Sequence, residues 1–276
     1  MALFGSYMLE LDEDSIPGRP VWKETDKMPA DVNGFYLSTP AENNLPSNCG
    51  MDKEPVLNLN ARPPVQCFIP PSPNDTPQSL FGIAQPPRHW APRFIRLTNP
   101  RQMLIYTDGS CLGNASGPDS TAGCSFIFRP AKEQQLSHLK FRLELEGPDK
   151  VLHEQTSNRA ELRAVIAALQ FRVWWGEGFT SVVIATDSEY IVKGCTEWVR
   201  GWVQKGWRTS KKVAVKNRDL WELLLDEVER YREMGCRILF WRIPRELNVH
   251  ADRLAKEAAA EINVKTKFCK MEGTMM

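Results

Sequence analysis

The sequence predicts an α/β fold: a mixed five-stranded sheet with helices on both faces, in the order β-β-β-α-β-α-α-α-β-α, starting near residue 101. Three observations predict it. A group of three short, β-prone apolar runs comes first. Helical periodicity then alternates with two further apolar runs. Order-breaking proline is concentrated at the other end of the chain, with 16 of the 20 prolines in residues 1–100.

Met103–Thr107 and Ala122–Phe128 are compact apolar runs, and Leu139–Glu146 alternates Phe141, Leu143 and Leu145 with polar neighbours, the pattern of a half-exposed strand. Leu162, Val165, Ile166 and Leu169 follow at i, i+3, i+4 and i+7, one apolar stripe on a helix. Ser181–Thr186 is continuously apolar, as in a central strand covered on both faces. Residues 188–205 predict one or two short helices around Gly194. Asp219–Met234 is an amphipathic helix with Leu220, Leu223, Leu224 and Val228 inward. Arg237–Ile243 is a fifth strand, and Asn248–Ile262 a last helix with Ala251, Leu254, Ala255 and Ala258 on one side.

Three regions follow: a Pro-rich, largely disordered or extended stretch at 1–100, with room for short segments docked on the folded part, a folded domain at 101–263 and a short tail at 264–276. On this division, deleting residues 1–95 leaves the sheet intact. Net charge is +1, but residues 1–100 hold 8 basic and 11 acidic residues against 27 and 23 in the remainder. Within 193–218, eight basic residues face one acid, Glu197, a density suited to phosphate. Seven cysteines show no paired metal-site spacing, and no apolar run approaches a membrane span. The expectation is an intracellular monomer of nucleus or cytoplasm, a mitochondrial form being left open.

Four acids carry the chemistry. Asp108 follows the first apolar run in Leu-Ile-Tyr-Thr-Asp-Gly-Ser-Cys-Leu-Gly, and Glu161 opens the first helix in Thr-Ser-Asn-Arg-Ala-Glu-Leu. Asp187 ends a strand in Ile-Ala-Thr-Asp-Ser-Glu-Tyr, and Asp252 begins the last helix in Val-His-Ala-Asp-Arg-Leu-Ala. Each has an ordinary use as well: turn or cap for Asp108 and Asp187, a capping box with Asn158 for Glu161, a first-turn charge for Asp252. Carboxylates converging from separate elements are what divalent metals need beside a phosphate backbone.

Residues 103–262, which carry these four motifs, resemble type 1 ribonuclease H. The resemblance extends to Trp198-Val-Arg-Gly-Trp202-Val-Gln-Lys-Gly206-Trp207-Arg-Thr-Ser210 and on to Val215-Lys-Asn217-Arg-Asp-Leu-Trp221, similar to that family's basic, Trp-rich protrusion. It implies a ribonuclease H-like fold. It also implies a metal-dependent endoribonuclease that hydrolyses the RNA strand of RNA–DNA hybrids, giving 5′-phosphate and 3′-hydroxyl ends. Two Mg²⁺ ions, for which Mn²⁺ can substitute, would sit about 4 Å apart on Asp108, Glu161, Asp187 and Asp252, with the backbone of Gly109 nearby.

By the same resemblance Ser110 (through its backbone), Asn114 and Asn158 lie along the RNA strand. Tyr190 and Trp198 form a platform for deoxyriboses, Thr156 and Asn217 grip a DNA phosphate, and Thr209 and Ser210 add DNA contacts. Lys205, Arg208, Lys211 and Lys212 supply sequence-independent phosphate affinity. Trp202, four residues from Trp198, either stacks with it along one helix face or, the preferred reading, is core together with Trp207. The chain departs from the pattern in three places: Glu154 replaces a basic residue beside the phosphate pocket, the loop before Asp252 is short and lacks the usual histidine, and no N-terminal hybrid-binding module is evident. His250, two residues before Asp252, points away from it on a helix. The alternative function is a hybrid- or duplex-binding module of this fold, of retroelement origin, with catalysis weakened or lost. The exonucleases of the same fold carry Asp-x-Glu on the first strand, unlike Asp108-Gly109-Ser110.

Overall fold

The computed structural model describes residues 2–4, 7–9, 65–113, 119–129 and 138–273. Within a unit spanning 1–58, β1 (Ala2–Phe4) and β2 (Tyr7–Leu9) form an antiparallel pair. Everything that follows belongs to the second unit, Leu59–Met276.

The expected element order holds from residue 99 onward. β6 (Asn99–Leu112), β7 (Thr121–Ile127) and β8 (His138–Arg142) make an antiparallel meander. α2 (Ser157–Phe171) crosses to β9 (Ser181–Thr186), which pairs parallel with β6. α3 (Glu189–Lys193), a π-helical turn at Gly194–Trp198 and α4 (Val199–Gln204) precede α5 (Arg218–Glu233). β10 (Arg237–Arg242) then pairs parallel with β9, and α6 (Val249–Ala260) closes the order. β9 is buried at all six positions, as a covered central strand requires. α6 packs on β7 through small residues: a Cβ at Gly123 would lie 2.2 Å from Ala259 N and 2.4 Å from Ala255 O.

Eight strands replace the predicted five, because the chain before residue 100 adds three more. β3 (Gln66–Cys67) pairs parallel with β10 at one edge. After a single-turn α1 (Pro77–Leu80), β4 (Phe81–Ala84) and β5 (Arg93–Arg96) form a hairpin, and β5 pairs with the first half of β6. Residues 65–99 are therefore folded, and the boundary expected at 100 is corrected for them. Residues 10–64 lie outside the described residues. Periodicity failed here because the anchors are isolated. Phe68 and Phe81 join Leu104, Tyr106, Val183, Ala185, Leu239 and Trp241 in one apolar cluster without forming a stripe of their own. Proline belongs in such a strap; Pro77 sits at the helix start and Thr76 caps it.

Four further differences have local causes. β6 runs through Asp108 to Leu112 instead of ending before it, because β7 pairs with its second half. β8 ends at Arg142, four residues short of the predicted end. The cap of α2 is Thr156, whose hydroxyl accepts from Arg159 N at 3.3 Å, in place of the expected Asn158–Glu161 box. Beyond α6 the tail docks: Glu146 N donates to Thr266 O at 2.7 Å, Met271 is buried, and Arg163 joins Glu144 to Cys269 O.

Candidate active site

β6 and β9 run in register with Tyr106 opposite Ala185, so Asp108 and Asp187, each two residues further on, emerge at the same level. Glu161 stands near the start of α2, where the helix touches β6. A Cβ on Gly109 would lie 2.1 Å from Glu161 N, so only glycine permits this approach. Asp252 is delivered by the first turn of α6. Ser125, paired with Asp108 across β6 and β7, fixes that turn by donating its hydroxyl to Ala251 O at 2.7 Å. Four elements thus bring one acid each to the same end of the sheet.

The electrostatics reflect the gathering. Burial, reinforced by Asp187, Glu161 and Asp252, pushes the Asp108 carboxyl up to about 8. Burial likewise raises Glu161 to about 7, with the Ser188 hydroxyl working against the shift and Asp187 adding to it. At Asp252, burial alone would raise the carboxyl, but Lys256 and Arg245 outweigh it and hold it low.

Side chains around the acids orient them. The Ser188 hydroxyl donates to Glu161. Asn248 Nδ2 donates to Asp187 Oδ1 at 2.8 Å and to Thr107 O at 3.1 Å. Arg245 Nη2 and Lys256 Nζ hold the two oxygens of Asp252 at 2.8 and 2.6 Å. None of these four was singled out from sequence. Lys256, four residues from Asp252 on one helix, had the readable spacing. Ser188 follows Asp187 directly, and Asn248 reads as a helix cap although its side chain caps nothing.

Hard oxygen donors of one charge, half or wholly buried and mutually raising Asp108, are the donor chemistry divalent cations favour. As they stand, these four acids do not form a group with donor atoms all within 4.8 Å of one another. Thr107 Oγ1 and Asn248 Oδ1 lie buried beneath them without a hydrogen-bond partner among the described residues. A different trio, Asp149, His153 and Asp219, brings three donor atoms within 4.8 Å of one another. There Arg159 grips both Asp219 oxygens, at 2.9 and 2.6 Å, and His153 contacts Asp149 at 3.0 Å, an ion-pair network that includes none of the four acids.

Beside the acids runs a groove of about 660 Å³ lined by Thr156, Asn158, Tyr190, Trp202, Thr209 and Asn217, among others. Five of these six were expected nucleic-acid contacts. Asn217 takes a left-handed backbone, φ 57°, to start α5. Its amide donates to Tyr190 Oη at 3.4 Å, which also accepts from Trp221 Nε1 at 3.0 Å. Arg159, buried under Asn217, was missed from sequence and reaches its Oδ1 at 3.4 Å. Tyr190, Trp198 and Trp202 form a row with centroids 6.4 and 5.8 Å apart. Trp207 is core as expected, whereas Trp202 is half-exposed in the row and in the groove, which corrects its assignment.

The protrusion is a small hairpin. Val215 N donates to Trp207 O, Thr209 N to Val213 O and Lys212 N to Thr209 O, with Lys212 left-handed at φ 61°. Its geometry leaves Lys205, Arg208, Ser210, Lys211 and Lys212 exposed and Thr209 half-buried. Ser110 is half-buried on β6, Glu154 is exposed at the groove, and His250 is exposed on α6. Asn114 lies outside the described residues.

A sheet end carrying four acids, with a basic, aromatic surface on the same domain, has the features expected of a metal-dependent phosphodiester hydrolase. The ribonuclease H family profile matches residues 100–260. The ribonuclease H of Idiomarina loihiensis is 34% identical over 163 residues, 59% of this chain and 91% of the relative. That of Chromohalobacter salexigens is 38% identical over 161 residues, 58% of this chain and 86% of the relative. The chain belongs to the ribonuclease H family. The matched span begins at residue 100, so β3, β4 and β5 lie outside it.

Proposed function

We propose that the protein hydrolyses the RNA strand of RNA–DNA hybrids, with Asp108, Glu161, Asp187 and Asp252 holding two Mg²⁺ ions. The observation that carries this reading is the convergence of the four acids, from β6, α2, β9 and α6, beside the groove of Thr156, Tyr190 and Asn217. Bound divalent metal would supply an activated water and charge stabilisation at the leaving oxygen. Ser188 and Asn248 keep Glu161 and Asp187 aimed, so little reorganisation accompanies the reaction.

The chain's own groups divide the substrate. The Thr156 hydroxyl accepts from Arg159 N and keeps its proton for a DNA phosphate; Asn217 is held beside it by Arg159 and Tyr190. Tyr190 and Trp198 offer flat faces to deoxyriboses, while Gly109, Ser110 and Asn158 would face the RNA strand, which a 2′-hydroxyl marks. Lys205, Arg208, Lys211 and Lys212, with Thr209 and Ser210, follow the DNA backbone. The domain is read as a monomer. An intracellular setting, nuclear or cytoplasmic, suits the free cysteines among the described residues; no described helix is long and apolar enough to cross a membrane.

End-labelled RNA–DNA hybrid, RNA duplex and DNA duplex, each with Mg²⁺ or with chelator, test the proposal. Internal cleavage of hybrid RNA alone, dependent on Mg²⁺, is expected. Binding of hybrid without cleavage would leave only the nucleic-acid-binding alternative.

A further inference from the structure

Asp252 is held differently from the other three acids. Asp108 accepts from the backbone of Gly109, Glu161 from a serine hydroxyl and Asp187 from an asparagine amide, all neutral donors. Both oxygens of Asp252 are held by cations. Lys256 is an ordinary exposed i,i+4 partner on the same helix. Arg245 comes from outside the helix.

Arg245 opens the short 3₁₀ turn Arg245–Leu247 between β10 and α6. That turn is closed by Leu247 N donating to Pro244 O and Asn248 N to Arg245 O, both at 2.9 Å, and Leu247 packs on the buried cluster. The same turn thus fixes Asn248, which orients Asp187, and sends the guanidinium of Arg245 to Asp252 Oδ1. Its other charged neighbours are again acids of the site, Asp187, Asp108 and Glu161. Although its side chain is 69% exposed, Asp252 is its one ion-pair partner among the described residues.

We infer that Arg245 is a positioning residue that serves as a built-in counter-cation, holding Asp252 and competing with divalent metal for its carboxylate. This rests on the reading that the four acids bind metal. A divalent ion can recruit Asp252 only by sharing or displacing Arg245 at Oδ1 or Lys256 at Oδ2, and at either oxygen it feels the repulsion of the guanidinium charge. Arg245 thereby sets the metal concentration at which the fourth ligand joins. Removing one positive charge roughly 7 Å from a divalent ion in a water-like dielectric corresponds to about five- to tenfold tighter metal binding.

The test is the rise in Tm during a Mg²⁺ titration of the full chain without substrate. Arg245→Ala and Arg245→Gln should half-saturate at about five- to tenfold lower Mg²⁺ than wild type. Arg245→Lys should stay near wild type, and so should Arg242→Ala, which removes an exposed cation paired with Glu189. Unchanged or weaker Mg²⁺ binding by Arg245→Ala and Arg245→Gln, with a wild-type response that Asp187→Asn abolishes, overturns the inference alone. A wild-type protein whose Tm does not respond to Mg²⁺, or responds equally with Asp187→Asn, removes the metal reading and the inference together.

Discussion

Asn248 divides its amide between Asp187 Oδ1 and Thr107 O, tying a β9 carboxylate to the β6 backbone from the entrance of α6. Replacing it by Ala frees Asp187 to rotate without removing a charge. Turnover should fall about 10–100-fold, the usual cost of losing an orienting partner of a ligand, while hybrid affinity stays close to wild type; equal turnover would show that the β6–β9 register alone aims Asp187. Asp108 gives a pH test with a definite sign. Its folded-state pKa, raised to about 8 by burial and the neighbouring acids, lies above the unfolded value of 3.8. Between those values the folded protein keeps a proton that the unfolded chain has lost, so stability falls as pH rises through that window. In metal-free buffer, Asp108→Asn should therefore raise Tm near pH 8 and change it little near pH 4. A lower Tm for the variant at the higher pH would contradict the assigned strain.

At the scale of elements, the order from β6 to α6 was legible because each element announces its burial: continuous apolar sequence for β9, an i, i+3, i+4, i+7 stripe for α2. The four acids drew attention because each sits in its own motif, although Asp108 lies inside β6 and not at its end. β3, β4 and β5 were not, since strands of two to four residues cannot display a period. Their buried anchors, Phe68, Phe81 and Ile95, stand in apolar runs of only two or three residues within a proline-rich stretch. Arg93 was equally hidden, because its buried partner Glu177 lies 84 residues away, at 2.8 Å. The folded strap reverses one expectation. Deleting residues 1–64 removes no strand of the eight-stranded sheet, and the domain should remain folded and active. Deleting residues 1–95 strips three buried hydrophobic anchors at about 2 kcal/mol each and takes Arg93 from Glu177. A loss of about 5 kcal/mol or more should lower Tm by roughly 10–20 °C or leave the protein insoluble. An unchanged Tm would show that the strap merely decorates the sheet.

For the whole molecule, the division of charge is the functional statement. Acids are concentrated where β6, β9, α2 and α6 meet, and exposed cations on the hairpin between α4 and α5. Catalysis and affinity should therefore separate. Changing Lys205, Arg208, Lys211 and Lys212 together to Ala should weaken hybrid binding and flatten its log–log salt dependence by about 0.7–0.9 for each phosphate no longer neutralised. Turnover at saturating hybrid should hold, because none of the four touches an acid of the site. An unchanged slope would make this hairpin a solvated surface only.

The complementary change tests the central claim most directly, with cleavage rate and hybrid Kd measured side by side in Mg²⁺ for wild type and Asp187→Asn. Asp187 ends a fully buried strand whose pairing with β6 and β10 does not depend on its charge, so the fold survives its loss. The variant should cleave more than about 100-fold more slowly, a larger effect than loss of an orienting partner, with Kd within about threefold of wild type because affinity rests on the separate basic surface. Near-normal turnover by Asp187→Asn would contradict the assignment of these carboxylates as the catalytic metal site.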